Sequence, residues 1–159
     1  MRDLSNNIVP ANSIINAVKT AGANGTGVDL QGYESAMIVV SVGAEGDTLA
    51  ANLNFQISLE HSDDDSTYTD AAQADIIDGT IAAGGIFLIL DGTGTAGSSD
   101  GNPHTAGGTW WIGYVGGKRY VRVVIAKTGT HSSGTAISAL VLKGNARSSG
   151  DNANATHNV

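Results

Sequence analysis

Residues Thr109 to Thr128 read TWWIGYVGGKRYVRVVIAKT, and their reading decides the fold. An aromatic segment, a glycine pair and a segment rich in β-branched residues follow one another, which predicts a β-hairpin. Its turn falls at Val115-Gly116-Gly117-Lys118, because glycine takes positive φ at little steric cost. Past the turn, Val121, Val123 and Ile125 share one face of a strand, while Tyr120, Arg122, Val124 and Ala126 share the other. Neither face is strongly polar, so the strand belongs inside a sheet, with Arg122 at a rim or an interface. Trp110 and Trp111 are adjacent and must point to opposite faces of their strand. One can join a core; the other needs a subunit contact, a covering loop or a ligand.

The same strand chemistry recurs on both sides of this stretch. Ser35 to Val42 (SAMIVVSV) and Thr135 to Lys143 (TAISALVLK) are apolar on both faces, the pattern of strands covered on both sides. Leu53 to His61 alternates instead: Leu53, Phe55, Ile57, Leu59 and His61 form an inward row against Asn54, Gln56, Ser58 and Glu60. Gly85 to Leu90 is a further buried strand, and Ala71 to Thr80, which contains Ile76-Ile77, is a short strand or an irregular crossing. Residues 91–108, DGTGTAGSSDGNPHTAGG, read as a long projecting surface loop with no phosphate-binding pattern.

Strands this short and turn-separated, with no helix beyond a turn or two, predict an all-β fold: one β-sandwich or jelly-roll-like domain. The expected organisation is an extended N-terminal arm and first loop over 1–34, the sandwich over 35–143, and a flexible polar tail over 144–159. Within the arm, Ile8, Val9, Ile14, Ile15 and Val18 are sticky residues in polar surroundings. They mark either a segment that orders against a partner or a short edge strand of the domain itself.

Composition narrows the function. Charged residues make up 14% of the 159, low against the typical quarter or so, while apolar residues reach 41%. The absence of cysteine removes disulfide frameworks and thiolate metal sites. The opening MRDLSNNIVP has no apolar run behind a basic head, so no secretory signal is expected, and Asn24-Gly25-Thr26 and Asn154-Ala155-Thr156 are not read as glycosylated. No apolar segment approaches the roughly 20 residues a membrane-spanning helix requires, so no membrane partner is expected. Residues 1–114 hold two basic residues against fourteen acids, and residues 115–159 hold six against one, giving −12 and +5 within a net −7. Either strands from the two halves interleave and mix these charges, or the molecule is two-sided. An acidic balance without a basic run argues against nucleic acid.

Catalytic chemistry finds no support in the motifs. His61, His104, His131 and His157 lack metal-ligand spacing, the three glutamates sit in no acid/base pattern, and no GxSxG is present. The expectation is no enzyme and no cofactor. Asp63, Asp64 and Asp65 in SDDDSTYTD are weak candidates for a calcium ligand set, since hard cations favour oxygen-rich turns. The EF-hand glycine and its closing glutamate are missing, and the Asp-box spacing is one residue short, so a solvated hairpin turn is the default.

Four stretches carry a family resemblance: GYESAMIVVSVG (32–43), FQISLEHSDDDSTYTDA (55–71), YVGGKRYVRVVIAKTGT (114–130) and AISALVLKGNAR (136–147). Together they resemble the small β-rich virion proteins of tailed bacteriophages, over residues 32–147. Ala146 stands where such proteins commonly have proline, and the 91–108 loop is longer than usual. The resemblance implies a capsid decoration, or cement, protein made in the bacterial cytoplasm and placed on the capsid surface. Its implied partners are the major capsid protein and copies of itself, as trimer or dimer. Interface candidates are Ile8, Val9, Ile14, Ile15, Trp110, Trp111, Arg119 and Arg122, the arginines meeting acidic partners. A neck or tail component, and a carbohydrate-binding sandwich that stacks sugar on a tryptophan beside the Asp63–Asp65 turn, are the alternatives.

Overall fold

The computed structural model describes residues 7–92 and 107–147. Eleven strands form two antiparallel sheets: β1 (Ile8–Lys19), β2 (Ala23–Asn24), β3 (Val28–Asp29), β4 (Tyr33–Glu45), β5 (Asn54–Ser62), β6 (Thr69–Asp70), β7 (Ile76–Ile77), β8 (Ile86–Leu90), β9 (Gly108–Tyr114), β10 (Tyr120–Thr128) and β11 (Thr135–Ala146). The first sheet, A, runs β1-β11-β4-β9-β7. The second, B, centres on β10 and β5, with β2 and β3 on the β10 side and β6 and β8 on the β5 side. The fold is a β-sandwich.

The core follows from strand parity. Phe55, Ile57 and Leu59 of β5 and Val121, Val123 and Ile125 of β10 point inward from sheet B. Ile38 and Val40 of β4 and Ile137, Ala139 and Val141 of β11 meet them from sheet A, all with essentially no exposed surface. Each large aliphatic side chain so buried contributes about 1.5–3 kcal/mol. The inward row read from β5 is therefore part of the interior, and of the two faces of β10 the one carrying Val121, Val123 and Ile125 joins it.

The Thr109–Thr128 hairpin does not form. Strand β9 pairs with β4 in sheet A, from Ala36↔Tyr114 to Val42↔Gly108, and β10 pairs with β5 in sheet B, from Tyr120↔Ser62 to Thr128↔Asn54. Residues 115–119 are an arch crossing between the layers. A glycine pair permits reversal of the chain; whether the flanking strands then pair with each other depends on which partners bury their apolar faces better. Here each finds a long strand of its own sheet.

The expected N-terminal arm is also built in. Strand β1 is the edge of sheet A, paired with β11 from Ile8↔Gly144 to Lys19↔Thr135, with register shifts between Asn12 and Ile14 and between Ile14 and Ala17. Among the described residues the sandwich therefore spans 8–147, not 35–143, because β1, β2 and β3 are part of its sheets and β11 runs to Ala146. The remainder of the expected tail and most of the 91–108 loop lie outside the described residues.

Candidate interaction surfaces

The outward faces of the two sheets differ in chemistry. On sheet B the outward positions of β5 and β10 pair Gln56 with Ala126, Ser58 with Val124, Glu60 with Arg122 and Ser62 with Tyr120, and Asp29 and Asp70 extend the rows. Arg122 bonds Glu60 through Nε at 2.7 Å and lies 3.9 Å above the Tyr68 ring. This face is mixed: Glu60 and Arg122 are paired within the chain, Ser58 and Ser62 are buried, and its rows continue onto Ile86 and Ile89 of β8.

On sheet A the outward positions form cross-strand rows of another kind. One row runs Ile77, Gly113, Met37, Leu142 and Pro10; the next runs Trp111, Val39, Leu140 and Asn12. Ser41, Ser138 and Thr109 lie beyond them, and Ala136 pairs with Val18. None of these side chains is charged. Trp111, Ile77 and Val18 are 58%, 51% and 62% exposed. Gly113 helps shape the patch, since a Cβ there would sit 2.5 Å from Ile77 Cγ1, so only a glycine lets Ile77 lie across the strand.

The tryptophan pair divides as strand geometry requires. Trp110 packs against the core, its ring over Gly108, where a Cβ would lie 2.5 Å from the indole. Trp111 stands outward beside Val39. Of the other interface candidates, Val9 and Ile14 are core residues at 8% and 3% exposure, which removes them from any docking surface. Ile8 is half-buried at the end of sheet A, while Ile15, in the irregular part of β1, is 74% exposed.

A second feature lies at one end of the sandwich, where a cleft of about 480 Å³ opens between residues 30–36 and the arch 114–119, with Asp63 and Arg147 beside it. Its walls are tied by Leu30 N–H donating to Arg119 O at 2.8 Å and Arg147 N–H to Gly32 O at 2.8 Å. Ion pairs link the walls: Lys118 with Asp63, Arg147 with Glu34, and Arg119 with both carboxylate oxygens of Asp29 at 3.0 and 2.6 Å. The Arg119 guanidinium holds the Asp29 carboxyl below its ordinary range, and burial pushes the Lys143 ammonium down where it lies over the Tyr33 ring. Arg119 and Arg122 thus take their acidic partners from within the chain. These pairs join acids of the first half to bases of the second, so the charge asymmetry of the sequence is mixed in the fold.

The three aspartates of the turn between β5 and β6 do not converge. Asp63 faces Lys118; Asp64 accepts from Ser62 Oγ and from the Ser66 and Thr67 amides at 2.8 to 2.9 Å; Asp65 bonds Tyr68. The donors around Asp64 drive its pKa strongly down. No group of three His, Asp or Glu side chains able to hold a metal is found among the described residues. This turn joins strands of sheet B whereas Trp111 stands on sheet A, so the two halves of the sugar-binding arrangement are apart. His61, at the end of its inward row, is buried with Nδ1 3.1 Å from the Tyr114 hydroxyl. Burial pushes that phenol up to about 12.

No family model, curated protein or solved structure matches this chain.

Proposed function

We propose that this chain is a structural virion protein that decorates the outer surface of an icosahedral phage capsid and stabilises the shell by bridging its subunits. One observation carries the reading: the uncharged apolar outer face of sheet A. Antiparallel sheets that end in water alternate apolar and polar residues, whereas strands covered on both sides read as continuous apolar runs. Strands β4 and β11 have the second pattern, yet nothing among the described residues covers their outer side. A protein that functions within an assembly accounts for a face built to be covered. Bracing then works by contact: expansion or rupture of the shell must also break the contacts made by each bound subunit, so binding to the intact shell stabilises it by mass action. The resemblance of residues 32–147 to phage virion proteins agrees with this reading.

The test is sedimentation of purified protein with capsids of the encoding phage from which it is missing. Co-sedimentation with a raised temperature of shell rupture is expected. Protein that stays in the supernatant at every ratio overturns the proposal.

A further inference from the structure

We propose that the outer face of sheet A is covered by a second copy of this chain, the two paired about a two-fold axis with Trp111 as anchor. This rests on reading sheet A as an assembly face and adds what covers it.

Electrostatics selects the occupant. The chain carries a net −7, so most ways of bringing two copies together set like charges against each other. An isologous contact is the strictest case, because the same patch faces itself. Sheet B would have to bury the Glu60–Arg122 and Asp29–Arg119 ion pairs together with Asp70, and the end cleft its own ion pairs, each at a desolvation cost. The two central rows of sheet A contain no charge of either sign, so they can face themselves without repulsion. A basic or acidic partner protein, by contrast, finds no complementary charge there to fix its register.

The size also fits. The four long strands β1, β11, β4 and β9, spaced about 4.8 Å apart and side by side over about eight residues, present about 500 Å² in plan, with the short β7 at their edge. Two such faces together bury about 1,000 Å², the lower bound for a specific protein contact. The patch has an aliphatic centre of Met37, Val39, Leu140 and Leu142, with Trp111 and Ile77 toward its β9–β7 edge and Ser41, Ser138, Thr109 and Asn12 around it. Pairing also serves the proposed function, because a two-fold unit offers every remaining surface twice, including the end cleft, and a bridge between two shell subunits requires two such sites.

The test is the mass of the purified full chain by light scattering, with Trp111→Glu and Ile77→Glu as interface variants and Ala126→Glu, outward on sheet B, as control. Circular dichroism verifies that each is folded. The expected result is twice 16.1 kDa for the wild type and for Ala126→Glu. Each interface variant should pair at least about thirtyfold more weakly, the scale of an interface hot spot, and run as monomer. A monomeric wild type, or folded interface variants that remain dimeric, overturns the pairing. Shell sedimentation separates the two proposals. A monomer that still sediments with capsids refutes only the pairing; a dimer that binds no capsid refutes only the virion reading.

Discussion

Ser13 is the residue on which the closure of the two sheets at the β1 edge turns, and its replacement by alanine gives a sharp test of the fold. Strand β10 receives β3 at Tyr120 and Val121 and β2 at Val124 and Ile125, leaving a gap in the ladder between them. Val123, with no exposed surface, has its carbonyl satisfied by Gly25 N–H at 2.8 Å. Its own N–H donates to Ser13 Oγ at 2.9 Å, and that hydroxyl donates onward to Thr26 O at 3.0 Å. Thus a side chain from an edge strand of sheet A completes the ladder of sheet B. Gly25 makes room for it, since a Cβ there would lie 2.4 Å from Ser13 Oγ.

Alanine at position 13 leaves a buried amide without an acceptor, a loss of about 1–3 kcal/mol. For a chain of this length each kcal/mol moves Tm by about 2–4 °C, so a central loss of about 2 kcal/mol lowers Tm by about 4–8 °C. The assay is calorimetry of Ser13→Ala beside Ser138→Ala, whose hydroxyl makes only a 3.5 Å contact to Ser41 O at an exposed site. The control should stay within about 0.5 kcal/mol of wild type. If Ser13→Ala is as stable as Ser138→Ala, the hydroxyl does not complete the ladder and the account of how the sheets join is wrong.

Further predictions concern charge and packing. Asp47 accepts from Ser132 Oγ and from the Ser133 and Gly134 amides, which lower its pKa from 3.8 to about 2. A depressed carboxylate stabilises the fold above its unfolded pKa and stops doing so as pH falls through the folded value. Urea unfolding should therefore show stability lost between about pH 4 and pH 2, with a shallower slope in Asp47→Asn; equal slopes would remove Asp47 from the acid response. Leu59→Ala, at a fully buried site, should cost about 2–5 kcal/mol in the same assay, and a loss under about 1 kcal/mol would contradict the assigned core. Arg122→Ala should cost about 1–2 kcal/mol, since it removes both a half-buried ion pair and a guanidinium stacked on Tyr68. Lys118→Ala, whose pair with Asp63 is largely exposed, should cost under about 1 kcal/mol; the reverse order would show that burial does not set the worth of these pairs.

What could be read from the sequence was what depends on neighbours along the chain. The alternation in β5 identified its inward row, and the adjacency of Trp110 and Trp111 required one to face out; β10, with neither face strongly polar, gave two faces without saying which is buried. Pairing was harder. The Gly116-Gly117 reversal looks the same in a hairpin as in an arch, and only the long partners β4 and β5, far away in sequence, separate β9 from β10. Strand β1 was obscured because its irregular stretch between Asn12 and Ala17 breaks the period of two and its partner β11 lies at the other end of the chain. Nothing local marks Ser13 as a ladder residue. The outer face of sheet A did leave a signal, in the runs SAMIVVSV and TAISALVLK. Their lack of alternation meant two apolar faces, of which the domain itself covers one.

The most direct test of the proposed role is a cryo-EM reconstruction of the purified particle that carries this chain. The account predicts density for the sandwich repeated over the outer capsid surface, in pairs whose A sheets face each other and whose remaining surfaces touch different shell subunits. Density only at the portal vertex or along the tail, or particles without the protein, would contradict it.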